Sequence, residues 1–201
     1  VLRYQSFDAA LRDANLLVQQ NPDAIETIDD TILKLAKGDV IWPLVANTLD
    51  QFNAAPLAAI NLVEFGAMDA LELAAKLDAI CVELRARNAS YERLSATQDI
   101  ANFWELRKKG VGLLGNLPGL KRPIAFVEDT AVPPEHLADY IVEFRQLLDQ
   151  MGVTYGMYGH VDAGCLHVRP ALNMRDPEDA FKLRVISDSV QALVQKYFQF
   201  Y

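Results

Sequence analysis

The chain has 201 residues, 51% of them hydrophobic and 23% charged, with 19 basic against 27 acidic side chains and a formal net charge of −8. That length can bury one proper core, and an acidic balance without a basic stripe argues against nucleic acid or an anionic membrane surface as partner. No apolar run reaches the roughly 20 residues needed to span a bilayer, no signal-peptide layout opens the chain, and Cys81 and Cys165 form neither a CxxC nor a disulfide framework, which fits a reducing cytoplasm.

Residues 1–5 read as a strand that begins abruptly, so a piece of a longer chain is expected. Ser6 is placed to cap an amphipathic helix to about Gln20, broken by Asn21-Pro22-Asp23. Residues 24–27 suit a short strand, and Asp29 or Asp30 opens a helix through Ile32, Leu33 and Leu35 that ends near Gly38. Residues 40–52 are ambiguous, with Trp42-Pro43 favouring a short helix on the sheet, and residues 57–65 form a buried strand. Asp69 opens a long helix to about Arg87, and residues 90–94 read as a strand. From about Asp99 a helix carries Phe103, Trp104, Leu106 and Arg107. It frays over residues 108–119, too rich in glycine for a stable helix interior and expected to be a mobile loop. Residues 124–128 read as a strand, Pro133-Pro134 starts a helix with one apolar face, and Asp176-Pro177-Glu178 begins the last helix.

Between those last two helices, Tyr155 to Pro170 reads as two short strands joined at Asp162-Ala163-Gly164, which is hairpin chemistry. With Ala163-Gly164 as a two-residue loop, His160 lies across from His167 and Tyr158 across from Arg169, with Cβ atoms roughly 4.5–5.5 Å apart in each pair. The period of two puts Tyr158, His160, His167 and Arg169 on one face and Met157, Leu166 and Val168 on the other. Two neutral imidazoles can give two ligands to zinc or a similar divalent ion, with a carboxylate completing the set. Alternatively, one histidine takes a proton while Arg169 holds an anionic substrate. A third reading makes them a hydrogen-bonded pair that caps a hydrophobic layer. Spacing alone leaves all three open.

Helices interleaved with few strands and one tight hairpin suit an α+β sandwich, an antiparallel sheet with helices packed on one face. The β-α-β-β-α-β order of ferredoxin-like units is the natural candidate, over one domain of residues 1–201. Elsewhere, Asp129 is expected to accept backbone N–H bonds at the turn before Val132-Pro133, beside Glu128, and His136 to be solvated. Trp42 and Trp104 read as core or interface anchors, and both cysteines as packing residues.

Gly159-His160-Val161-Asp162-Ala163-Gly164-Cys165-Leu166-His167, preceded by Glu128-Asp129-Thr130-Ala131-Val132-Pro133-Pro134, resembles the C-terminal domain of FAD-linked oxidases of the vanillyl-alcohol oxidase/p-cresol methylhydroxylase superfamily. The usual form there is Gly-His-(Val/Leu)-Gly-Asp-Gly-Asn-Leu-His, from which Asp162-Ala163 and Cys165 depart. With Arg107-Lys108-Lys109-Gly110-Val111-Gly112-Leu113-Leu114-Gly115 upstream, the variant is most similar to long bacterial D-2-hydroxyglutarate dehydrogenases, which fuse a flavin half to an iron–sulfur half.

The resemblance implies a duplicated ferredoxin-like cap domain, covering a small 2-hydroxy acid of the 2-hydroxyglutarate or lactate/glycolate type whose hydride passes to FAD. The FAD would be held mainly by a separate FAD-binding domain of the parent protein, with any iron–sulfur cluster elsewhere in it. It also implies His160 and His167 as catalytic metal ligands for zinc or another divalent ion, the third being a glutamate in a later Gly-Glu-His-Gly motif beyond Tyr201. Arg107 stands where relatives grip the substrate carboxylate. Arg169 replaces an asparagine, an extra cation suited to a dicarboxylate, with Tyr158 beside it. Where relatives use a threonine and a lysine, the approximate matches are Val111 and Val127. A homodimer is among the candidate assemblies. No FAD-binding motif occurs, so the chain alone is expected neither to bind FAD nor to turn over substrate. The alternative is a ferredoxin-like ligand-binding or dimerisation module; a metal hydrolase built on the histidines ranks last.

Overall fold

Several helix starts are written in single side chains. Ser6, Asp29 and Asp69 each sit in extended backbone and accept the N–H three residues on, from Ala9, Ile32 and Glu72. The computed structural model describes residues 1–50 and 56–198. Its first half runs β1 (Leu2–Tyr4), α1 (Phe7–Val18), β2 (Ala24–Asp29), α2 (Asp30–Ala36), α3 (Trp42–Leu49), β3 (Ala59–Glu64) and α4 (Ala70–Ala86). The second runs α5 (Thr97–Gly115), β4 (Arg122–Pro123), β5 (Thr130–Ala131), α6 (Leu137–Gln150), β6 (Tyr155–His160), β7 (Cys165–Leu172) and α7 (Pro177–Phe198). Among the described residues, no helix is long and apolar enough to cross a membrane.

The strands form one antiparallel sheet in the order β1-β3-β2-β6-β7-β4, with β5 also on β7. Each half is a split β-α-β unit. In the first, β1-α1-β2 leaves a gap that β3 fills; in the second, β5-α6-β6 leaves one that β7 fills. That is the expected duplicated ferredoxin-like plan, and the halves meet where β2 pairs antiparallel with β6.

Helices cover both faces of the sheet, not one. Alternation along β2 sends Ile25 into a core with Leu11, Leu17, Phe144 and Leu148, and Ile28 into a second core with Ile32, Val45, Phe103 and Leu106. The second layer is α2, α3 and α5, and α5 is longer than its glycines suggest. Expected to fray after Arg107, it runs to Gly115 because Leu113 and Leu114 are buried against the sheet. A Cβ built on Gly110 would lie 3.6 Å from Ile32 and from the Tyr158 ring, so this glycine sits at a close helix–sheet approach. Burying those leucines outweighs a helix penalty of about 1 kcal/mol per glycine.

Two expected strands are not strands. Residues 90–94 contribute a single bridge, Leu2 to Tyr91. Residues 124–128 form a loop, tied by Ile124 N–H donating to Pro170 C=O at 3.0 Å and bent away before Asp129, whose φ is +61°. The ambiguous segment is a helix over Trp42–Leu49, and its residues 51 and 52 lie outside the described residues. His136 is half-buried beside the Tyr197 ring, 6.1 Å between centroids, rather than fully solvated.

Candidate functional site

The β6–β7 turn decides where the histidines stand. It is a 3-10 turn, Val161–Ala163, closed by Gly164 in the left-handed region at φ +67°, so the loop is longer than two residues. The register is therefore displaced from the expected one. Tyr158 opposes His167, and Arg169 opposes Gly156. A displacement by two keeps every side chain on its face, so Tyr158, His160, His167 and Arg169 still share one side while Met157, Leu166 and Val168 are buried on the other. The two imidazoles are diagonal neighbours, with ring centroids 5.3 Å apart and planes at 78°.

His160 ends β6 directly opposite Glu26 of β2. Its Nδ1 lies 2.7 Å from Glu26 Oε1, and its side chain is 46% exposed while that of Glu26 is 6% exposed. Arg107 descends from α5 onto the same carboxylate, donating from Nε to Oε2 at 3.0 Å and from Nη2 to Oε1 at 3.4 Å. The guanidinium also lies 4.9 Å from the Tyr158 ring centre, and its Nη2 is 3.5 Å from His160 Nε2. Tyr158 is buried beneath it, 5.1 Å from the His167 ring, and burial pushes its phenol above the usual range.

A second set of contacts surrounds His167. Arg169 donates from Nε and Nη2 to Glu128, at 2.8–3.0 Å. His167 Nδ1 lies 2.6 Å from Asp129 Oδ1 and 3.3 Å from Glu128 Oε1. Yet among the described residues this buried nitrogen completes no hydrogen bond with either contact. Ligand atoms of Glu128, Asp129 and His167 all lie within 4.8 Å of one another. One nitrogen with two carboxylates is a donor set that suits zinc or another divalent ion, and an Nδ1 that completes no hydrogen bond is what a ligand nitrogen would show.

All five residues expected to form the site are thus brought together: Tyr158, His160, His167 and Arg169 on the hairpin, and Arg107 on the helix above it. Both arginines are already paired with glutamates. Asp129 occupies the expected turn, but where its carboxylate is expected to accept backbone N–H bonds it is set against His167 instead. Glu26 is a site residue that sequence reasoning misses. The only hint of it is an acid interrupting the apolar side of a strand between Ala24 and Ile28. With neutral histidines, two guanidiniums face three carboxylates, leaving the site one negative charge. Cys165 sits nearby with its thiol pushed above the ordinary value, chiefly by burial and then by the charges of Asp129, Glu128 and Glu26, which suits packing rather than nucleophilic chemistry.

An apolar cavity of about 350 Å³ lies apart from the histidines, between β3, α4 and α5, with Leu62, Leu77, Phe103 and Trp104 in its walls. Trp104 is thus a cavity wall, and Trp42 packs against the second core.

Known proteins share this fold and much of this sequence. The family description "FAD linked oxidases, C-terminal domain" matches residues 1–198. D-2-hydroxyglutarate dehydrogenases are 49% identical over 201 residues in Pseudomonas putida, 45% over 203 in Pantoea ananatis and 43% over 203 in Escherichia coli. Each alignment covers 98% of this chain and 20% of the relative, so the chain spans about one fifth of those proteins. Among solved structures, 4-ethylphenol oxidase from Gulosibacter chungangensis, as an isoeugenol complex, superposes with a TM-score of 0.56 at 11% identity, covering 94% of this chain and 42% of that one.

Proposed function

This chain belongs to the FAD-linked oxidase C-terminal domain family, and from that premise we propose that residues 1–201 form the substrate-facing cap of an FAD-dependent dehydrogenase acting on a D-2-hydroxy acid. The observation that carries this reading is the convergence, on one half-open sheet face, of two histidines 5.3 Å apart and two arginines from different elements. Relatives that are 43–49% identical are D-2-hydroxyglutarate dehydrogenases, which makes 2-hydroxyglutarate the first substrate to test.

The side chains divide the work. Arg107 and Arg169 each give Nε and Nη2 to a glutamate, and among the described residues Nη1 of each makes no hydrogen bond, so each keeps donors for a substrate carboxylate. With a divalent ion held as below, the site's net charge turns from −1 to +1, and two guanidiniums with spare donors then suit a dicarboxylate better than a lactate-type monoacid. Tyr158 supports the Arg107 guanidinium from below. With Glu26 at Nδ1, His160 Nε2 lies 3.5 Å from Arg107 Nη2 on a half-exposed side chain, where in exchange for that long contact it can accept a hydrogen bond from the substrate hydroxyl or ligate a cation. His167, with Glu128 and Asp129, would hold a divalent ion, which when bound supplies Lewis acidity toward that hydroxyl. FAD, carried by another part of the full-length protein, supplies the hydride acceptor. The unpaired Cys81 and Cys165 support a reducing compartment, the cytoplasm.

The test is a substrate screen with metal analysis on the full-length protein. D-2-hydroxyglutarate should reduce the flavin where its L-enantiomer does not, and His167→Ala should lower bound divalent metal. Equal reduction by both enantiomers, or by none of the D-2-hydroxy acids tried, would overturn the reading.

A further inference from the structure

Glu26 is a charged side chain in a place that ordinarily excludes one. Its neighbours across the sheet are Leu62 on one side and His160 on the other, and the same face carries Ile28 and Ile60. A carboxylate on a side chain only 6% exposed among such residues is costly unless both oxygens are occupied by donors. Here they are. Oε2 takes Arg107 Nε at 3.0 Å, while Oε1 faces Arg107 Nη2 at 3.4 Å and His160 Nδ1 at 2.7 Å.

We propose that Glu26 is a positioning residue: one buried carboxylate, delivered by the first half of the chain, that sets the orientation of both Arg107 and His160 for substrate. This rests on the reading of those two groups as substrate-facing. Three elements converge on it. β2 supplies the acid, α5 the arginine and β6 the histidine, so neither group is placed by its own element alone. With Nδ1 at the carboxylate, the imidazole sets Nε2 beside Arg107 Nη2, 3.5 Å away, on a side chain that is 46% exposed. With Nε and Nη2 held in a fork, the guanidinium plane is fixed over Tyr158 and Nη1 is left for a ligand. A glutamine cannot replace this acid. Its amide oxygen, standing where Oε1 stands, would still face His160 Nδ1 and Arg107 Nη2, but its NH₂ would then stand in place of Oε2 against Arg107 Nε, donor against donor, and the charge that holds the guanidinium would be gone.

The measurement is a double-mutant cycle on the full-length protein, following KM and kcat for D-2-hydroxyglutarate. Glu26→Gln should raise KM about tenfold or more, as loss of a charge-assisted contact would. On an Arg107→Ala background the same change should act on KM at least about threefold more weakly, because the group through which it works is gone. A matching cycle with His160→Ala should show the same dependence in kcat. Glu26→Asp, which keeps the charge on a shorter stem, should recover part of the loss, and it keeps the test usable if Glu26→Gln fails to fold. Equal KM factors in the two backgrounds, or a wild-type KM in Glu26→Gln, overturn the proposal. If Arg107→Ala itself leaves KM unchanged, the substrate-facing reading fails first, so the two failures are distinguishable.

Discussion

Replacing Gly164 by alanine strikes the turn that fixes the histidine register. Gly164 has φ +67° and ψ +23°, and a Cβ there would fall 1.9 Å from Val132 C=O and 3.1 Å from Pro134 N. Both obstacles are backbone, so no rotamer change relieves the clash. An alanine in the left-handed region costs about 1–2 kcal/mol on its own. Displacing the facing segment also breaks the bond from Val132 N–H to Gly164 C=O, 3.0 Å long, worth about 1 kcal/mol. It loosens the β5–β7 pairing of Thr130 with Leu166 and Ala131 with Cys165 as well. The two costs with a magnitude sum to about 2–3 kcal/mol, which corresponds to a fall in Tm of roughly 4–12 °C for a chain of this size. Thermal unfolding of the 201-residue chain followed by far-UV circular dichroism measures it. A Gly164→Ala variant melting within about 2 °C of the wild type would refute the left-handed closure and the histidine placement built on it.

The opposite sign is expected one helix away. Among the described residues, Gly112→Ala meets nothing within 4 Å, and α5 should gain about 0.5–1 kcal/mol, read as a higher Tm. A lower Tm would mean the helix does not run through residue 112. Asp29 makes a pH prediction. It is fully buried, accepts N–H bonds from Ile32 and Met157 and lies 3.5 Å from Arg145, and burial pushes its carboxyl up from 3.8 to about 7. The folded chain therefore holds a proton that the unfolded chain has released. That contribution, on the order of 2–4 kcal/mol, is complete below pH 3.8 and is lost as pH rises toward about 7. Urea unfolding across that window should show a steeper loss in the wild type than in Asp29→Asn, and equal slopes would contradict it.

Much of the site is legible in the sequence because a β-strand's period is two. A difference of two residues in the hairpin register leaves each side chain on its proper face, so the histidine pair survives a loop longer than its turn residues suggest. Single-residue signals also read well: Ser6, Asp29 and Asp69 begin helices because each can accept a nearby N–H. What local pattern misses is whatever tertiary contact decides. The glycines of α5 argue locally for a loop, and only the sheet beneath them makes a helix. Residues 124–128 have strand composition but no neighbouring strand for their whole length. Glu26 lies 81 residues from Arg107 in sequence, and no local pattern links an acid in one strand to an arginine on a distant helix. Asp129 does occupy a turn, as its surroundings in the sequence suggest, while its carboxylate reaches the far side to His167.

On the function proposed above, this histidine and arginine face receives a D-2-hydroxy acid. Anaerobic mixing of the full-length protein with D-2-hydroxyglutarate tests it most directly, with flavin bleaching followed in the wild type and in His160→Ala, His167→Ala and Arg107→Ala. Bleaching should be fast in the wild type and at least about a hundredfold slower in each histidine variant, the scale of losing a positioned polar group in the reaction. The arginine variant should require a much higher substrate concentration. Wild-type reduction rates in all three variants would contradict it.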